Sequence, residues 1–176
     1  AIDDLYQLRA NRPHQVSTYD LYLLMRAGNL LEVTEHTALV RRYLDAICDV
    51  PKPERDNVRV VVSGTFCEQP PLALVRALES SGCYIVDDDW VLGARFILGD
   101  VPVRREDPLS GLIQAYFDQG VATASRYEPK AEKGRYLIDL VRARKADGVV
   151  FAAPSFCDPA LLERPMLQTA LAREKI

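Results

Sequence analysis

No stretch of this sequence approaches 18 consecutive apolar residues, so none is long enough to cross a bilayer as a helix. No two of the four cysteines, Cys48, Cys67, Cys83 and Cys157, stand at C-x-x-C spacing, which argues against a zinc ribbon or a thioredoxin-type site. A chain of 176 residues can form a core without staples, so a secreted disulfide framework is not needed and a reduced, cytoplasmic compartment is the simpler expectation. Neither sign of charge dominates: 22 basic against 25 acidic side chains give −3, with no pointer to nucleic acid or a membrane surface. A G-x-G-x-x-G run is also missing, since Gly64 stands alone after an apolar run, and a dinucleotide fingerprint is not supported. The opening AIDDLYQLRANRPHQ is a polar helical stretch entered mid-pattern, unlike a signal peptide. Together with a final helix that no strand follows, it leads us to expect a piece of a longer polypeptide.

What is present divides into two patterns. Residues 1–50 are helical in character: Ser17-Thr18-Tyr19-Asp20 places a cap and an early acid before the stripe Leu21, Tyr22, Leu24, Met25, which predicts a helix ending near Gly28-Asn29. A second stripe, Leu39, Val40, Tyr43, Leu44, Ile47, continues to Cys48. A helical hairpin is expected, with Met25 and Cys48 as core packing. VPKPERDN, residues 50–57, reads as a linker. Beyond it Val58–Val62 predicts a strand, Ser63–Gln69 a loop, and Pro70-Pro71 the start of a helix through Leu72, Leu74, Val75 and Leu78 that closes at Gly82. Cys83–Val86 predicts the next strand, with Cys83 in the core. Such a β-α-β run is the unit of a parallel, doubly wound sheet. Further helices are expected over 109–120, with Leu112, Ile113, Ala115 and Tyr116 inward, and over 135–146, with Leu137, Ile138 and Val141 buried.

The chain is organised around GVVFAAPSFCDPALLERP, residues 148–165. Its apolar start reads as a strand buried on both faces, and Pro159 sits where the first turn of a helix begins, with Asp158 as its N-cap. Leu161, Leu162, Met166, Leu167, Ala170 and Leu171 line that helix to about Glu174. Cys157 therefore falls in a strand-to-helix loop at the carboxyl edge of the sheet, where open α/β folds bind ligands. The positive end of a helix dipole favours a thiolate there, as a reactive group or metal ligand requires. Cys67 also follows a strand and precedes a helix, so both thiols can face one crevice; alternatively Cys67 packs. Asp87-Asp88-Asp89 reads either as a solvated loop, with Asp89 capping a helix from Trp90, or as carboxylates on the same edge that bind a ligand or orient Arg95. Arg126, Tyr127, Lys130 and Lys133 form a modest basic cluster, either a solvated surface or a seat for a phosphate-rich ligand such as a coenzyme A ester.

VVVSGTFCEQPPLALVRALESSGCYIVDDDW together with DGVVFAAPSFCDPALLERPMLQTAL closely resembles the benzoyl-CoA reductase and 2-hydroxyacyl-CoA dehydratase family, most nearly the C-type subunits of its ATP-dependent reductases. F-C-D-P after a D-G-V-hydrophobic strand, followed by E-R-P, is an uncommon pattern, and the likeness runs over residues 15–176. The resemblance implies an α/β class, a Rossmann-like or flavodoxin-like parallel sheet over 58–176 lacking its last strand. The helical segment 1–50 would lead in from an absent N-terminal lobe. It further implies a [4Fe–4S] cluster completed by residues outside this chain, with Cys157 matching the family's cluster ligand in F-C-D-P. Cys67 stands in a loop facing the cofactor, and Arg95 and Asp88 stand on the substrate side. Implied partners are a homologous cluster-bearing subunit, an ATPase subunit that hydrolyses ATP, ferredoxin as electron donor and an acyl-CoA substrate. The activity implied is two-electron dearomatisation of benzoyl-CoA to a cyclohexadiene-carboxyl-CoA. Alternatives are radical dehydration of an (R)-2-hydroxyacyl-CoA, or a non-catalytic assembly lobe in which Cys157 is a buried thiol.

Overall fold

β-Branched residues in an unbroken apolar run make Val58–Ser63 the central strand, β1, of a three-stranded sheet. A computed structural model describes residues 1–64, 71–89, 98–120 and 133–176. Cys83–Asp88 (β2) and Gly148–Phe151 (β3) flank β1, both parallel to it, in the order β2-β1-β3. The α/β expectation thus holds. β3, expected to be buried on both faces, is instead half-buried along its length; it lies at one edge of the described sheet, whereas β2, at the other, is covered by the first helix of the chain through Arg9.

Two helical layers cover the sheet, as the alternation of side chains across a strand demands. On one face Val61 and Val86 meet Leu137, Ile138 and Val141 of α6 (Arg135–Arg144) and Leu167, Ala170 and Leu171 of α7 (Asp158–Arg173). On the other, Val60, Val62 and Ile85 meet Val75 of α4 (Leu72–Ser80) and Tyr22. Gly134, at φ +90°, lets the start of α6 cross α7 closely: a Cβ there would lie 2.8 Å from that of Ala170.

The expected helical hairpin is three helices, α1 (Ile2–Asn11), α2 (Thr18–Ala27) and α3 (Val33–Cys48). The Ser17 hydroxyl accepts from the Asp20 amide at 3.3 Å, the predicted cap of α2. Leu5, Tyr6, Val16, Leu21, Leu24, Met25 and Val40 form their shared core. Met25 is buried as expected, whereas Cys48 is exposed, because it closes the last turn of α3 beyond the reach of that core. Tyr22 and a hydrogen bond from the Thr18 amide to Glu79 at 2.9 Å join this segment to the sheet layer. Arg59 adds to the join by donating to the carbonyls of Ala10, Arg144 and Lys145, gathering the ends of α1 and α6 at the start of β1.

Two amphipathic faces differ from their sequence reading. In α5 (Pro108–Gln119) Ala115 is buried, but Leu112, Ile113 and Tyr116 are about half-exposed. The small-residue face turns inward instead, since a Cβ on Gly111 would stand 2.6 Å from the Pro102 carbonyl oxygen. In α7 the buried stripe is Ala160, Glu163, Leu167, Ala170 and Leu171, so Leu161, Leu162 and Met166 point outward. Among the described residues no helix is long and apolar enough to cross a membrane.

Candidate functional site

The carboxyl ends of three parallel strands build the edge on which the sequence places its candidate residues. β2 runs farther than its apolar residues predict, through Asp88, with a register irregularity opposite Val60 and Val61. The solvated-loop reading therefore fails for Asp87 and Asp88, which are buried. Asp87 Oδ2 accepts from Arg144 Nε at 2.6 Å, and Asp88 Oδ2 from Arg9 Nη1 at 2.6 Å. A carboxylate enters a protein interior when a cation and hydrogen bonds replace its water, and both strand-end acids meet that condition. Arg9 is itself fully buried, and its Nε donates to the Ile85 carbonyl at 2.6 Å. One guanidinium thus satisfies a strand-edge carbonyl and neutralises Asp88.

Asp89 does different work. Its Oδ2 accepts from the Ser63 hydroxyl at 2.8 Å and the Gly64 amide at 2.6 Å, while its own amide donates to the Val62 carbonyl at 3.2 Å. The chain leaving β1 is thereby tied to the end of β2. Gly64 holds φ +102°, and a Cβ there would lie 3.3 Å from the Ala153 nitrogen, so the loop after β3 crosses directly beside it.

That loop leads to Cys157, which is the N-cap of α7, one residue before the predicted Asp158. Its amide donates to the Pro154 carbonyl at 3.1 Å, and its carbonyl accepts from the Leu161 amide at 3.0 Å, so the backbone fixes it at the helix entrance. The residue is 9% exposed. Leu162 and Met166, further along α7, and Phe156, just before the helix entrance, are exposed apolar residues. Buried Glu163 accepts from Lys133 Nζ at 2.6 Å. Lys133, expected within a basic cluster, is thus engaged with a carboxylate, while Arg126, Tyr127 and Lys130 lie outside the described residues. So do Cys67 and Arg95, as well as Trp90, the proposed start of a helix capped by Asp89.

Cys157, Asp88 and Asp89 thus all lie at or beyond the carboxyl ends of the parallel strands, with the Asp88 carboxylate taken up by Arg9 and that of Asp89 by the Ser63-Gly64 turn. Among the described residues no three or more His, Cys, Asp and Glu side chains are grouped as a metal site. The donor set fits an iron–sulfur cluster as a contributor of one thiolate, not as a closed cage. Arg9 and the clamp made by Asp89 escaped the sequence reading. The signal for Arg9 was a lone charge among Leu5, Tyr6, Leu8 and Ala10; for the clamp, it was Ser-Gly leaving one strand beside an acid leaving its neighbour.

The family model for the 2-hydroxyglutaryl-CoA dehydratase D-component matches residues 1–176. The chain is 48% identical to the C-type subunit of benzoyl-CoA reductase from Thauera aromatica over 99% of its own length and 45% of that protein. It is 25% identical to the (R)-phenyllactyl-CoA dehydratase beta subunit of Clostridium sporogenes over 95% of its length and 43% of that protein. With the beta subunit of (R)-2-hydroxyglutaryl-CoA dehydratase from Acidaminococcus fermentans it shares 25% identity over 84% of its length and 39% of that protein. The chain thus spans less than half the length of these curated relatives. A thiol at the carboxyl edge of a parallel sheet, in a sequence matched from end to end, is accounted for by descent: the chain belongs to the 2-hydroxyglutaryl-CoA dehydratase D-component family, which joins the 2-hydroxyacyl-CoA dehydratase beta subunits to the C-type subunit of benzoyl-CoA reductase.

Proposed function

We propose that this chain forms the C-terminal lobe of an iron–sulfur subunit of an ATP-dependent benzoyl-CoA reductase, supporting two-electron dearomatisation of benzoyl-CoA to a cyclohexadiene-carboxyl-CoA. The observation that carries this reading is the 48% identity to the Thauera reductase subunit, against 25% for the two dehydratase subunits. A homologous cluster-bearing subunit, an ATPase subunit that hydrolyses ATP, and ferredoxin complete the proposed assembly. It works in the cytoplasm.

When bound, a [4Fe–4S] cluster supplies low-potential one-electron transfer, tuned by charge, hydrogen bonds and exposure. Cys157 is its proposed ligand from this chain, since a soft thiolate suits iron–sulfur ligation. Cys67 is the proposed second cofactor-side residue, and Arg95 the proposed substrate-side cation. Asp88 acts on the substrate side through the buried pair with Arg9, which fixes the strand end.

The match to a dehydratase family model favours one second reading, a subunit of an (R)-2-hydroxyacyl-CoA dehydratase. Assay of the full-length subunit in its complex separates the two. Ring reduction of benzoyl-CoA coupled to ATP hydrolysis is expected; dehydration of 2-hydroxyglutaryl-CoA without ring reduction would reverse the ranking.

A further inference from the structure

We propose that Asp89 is a positioning residue for the Cys157 thiol, acting through a relay of backbone contacts along the carboxyl edge. This rests on reading Cys157 as the cofactor ligand. The relay starts at Asp89 Oδ2, which holds the Ser63 hydroxyl at 2.8 Å and the Gly64 amide at 2.6 Å. Hydrogen bonds to an ionised carboxylate are about twice as strong as neutral ones, so this is the stiffest contact along the relay. The Ser63 carbonyl then accepts from the Ala152 amide at 2.7 Å, and Gly64, at φ +102°, seats Ala153 against its bare Cα. One residue further on, the Pro154 carbonyl accepts from the Cys157 amide at 3.1 Å. Beyond the Asp89 carboxylate the links are backbone-borne, so a shift of the Ser63-Gly64 turn passes to the loop that carries the thiol. Asp89 is thus coupled to Cys157 although the two stand on different loops. Its charge also lies on the edge where a cluster would bind, so its removal favours the more negative, reduced state of the cofactor.

The test uses the full-length subunit in its complex. After iron is removed under reducing conditions, the iodoacetamide alkylation rates of Cys157 and Cys83 are followed by peptide mass spectrometry. Cys83 begins β2, at the opposite edge of the same sheet, and reports general loosening. Asp89→Ala is expected to speed alkylation of Cys157 several-fold with Cys83 unchanged. Asp89→Asn keeps the shape and one acceptor but not the charge, and is expected to fall between. In the iron-loaded complex both variants shift the cluster midpoint potential upward. Equal rates at Cys157 in wild type and both variants, a parallel rise at Cys83, or an unmoved potential would each overturn the proposal. A wild-type complex without iron would instead overturn the cofactor reading, which the alkylation arm does not depend on.

Discussion

Replacing Arg9 with methionine tests how the helical segment is held to the site edge. The side chain is fully buried and makes two 2.6 Å contacts, to the Ile85 carbonyl and to Asp88 Oδ2. Methionine fills much of the volume but leaves a buried carboxylate without this cation. Breaking a buried pair from one side costs about 3–5 kcal/mol, several times an exposed pair at about 0.2–1 kcal/mol. Removing Asp88 alone as Asp88→Leu strands the guanidinium and costs a similar amount. The double variant restores charge balance, so its cost should fall about 2 kcal/mol or more below the sum of the two singles. Urea unfolding of the full-length chain gives all four corners of the cycle. Little dependence on salt is expected, because buried pairs are weakly screened. Single-variant losses below about 1 kcal/mol, additive and salt-sensitive, would refute the reasoning, since that is the behaviour of a pair open to water.

Further perturbations test other parts of the account. Gly134→Ala combines a φ of +90° with a Cβ placed 2.8 Å from that of Ala170, and should destabilise the α6–α7 layer by about 1–3 kcal/mol in the same urea assay. Burial first, and the neighbouring charge of Asp20 second, raise the Tyr43 hydroxyl well above its ordinary pKa of 10.0. The folded chain holds that proton while the unfolded chain releases it. The stabilisation is therefore complete below pH 10 and declines as pH rises toward the folded value; in Tyr43→Phe that alkaline slope should flatten.

The periodicity of residues 58–86 and 135–151 was enough to read a parallel α/β sheet, because short β-branched apolar strands and one-faced helices leave short-range signatures. The faces of α5 and α7 were not legible from the same signal. In α5 a close backbone approach at Gly111, not the bulkiest stripe, decides which side packs. In α7 the buried set includes Glu163, which enters only because Lys133 meets it from outside the helix. The strand-end acids were misread for a similar reason. Asp87 and Asp88 look like loop residues until Arg144 and Arg9, 57 and 79 positions away, are brought to them. Cys157 was legible because strand, loop and proline-started helix all sit within a dozen residues. The clamp made by Asp89 depends on two strands being neighbours, which local pattern does not carry.

The most direct measurement is iron bound by the full-length subunit when Cys157 is replaced by serine. If that thiol ligates the cofactor, iron per subunit and the low-temperature paramagnetic signal of the reduced cluster should both fall steeply while the circular dichroism of the fold is kept. Iron content and signal equal to wild type would contradict the account and leave the chain as an assembly lobe with a buried thiol.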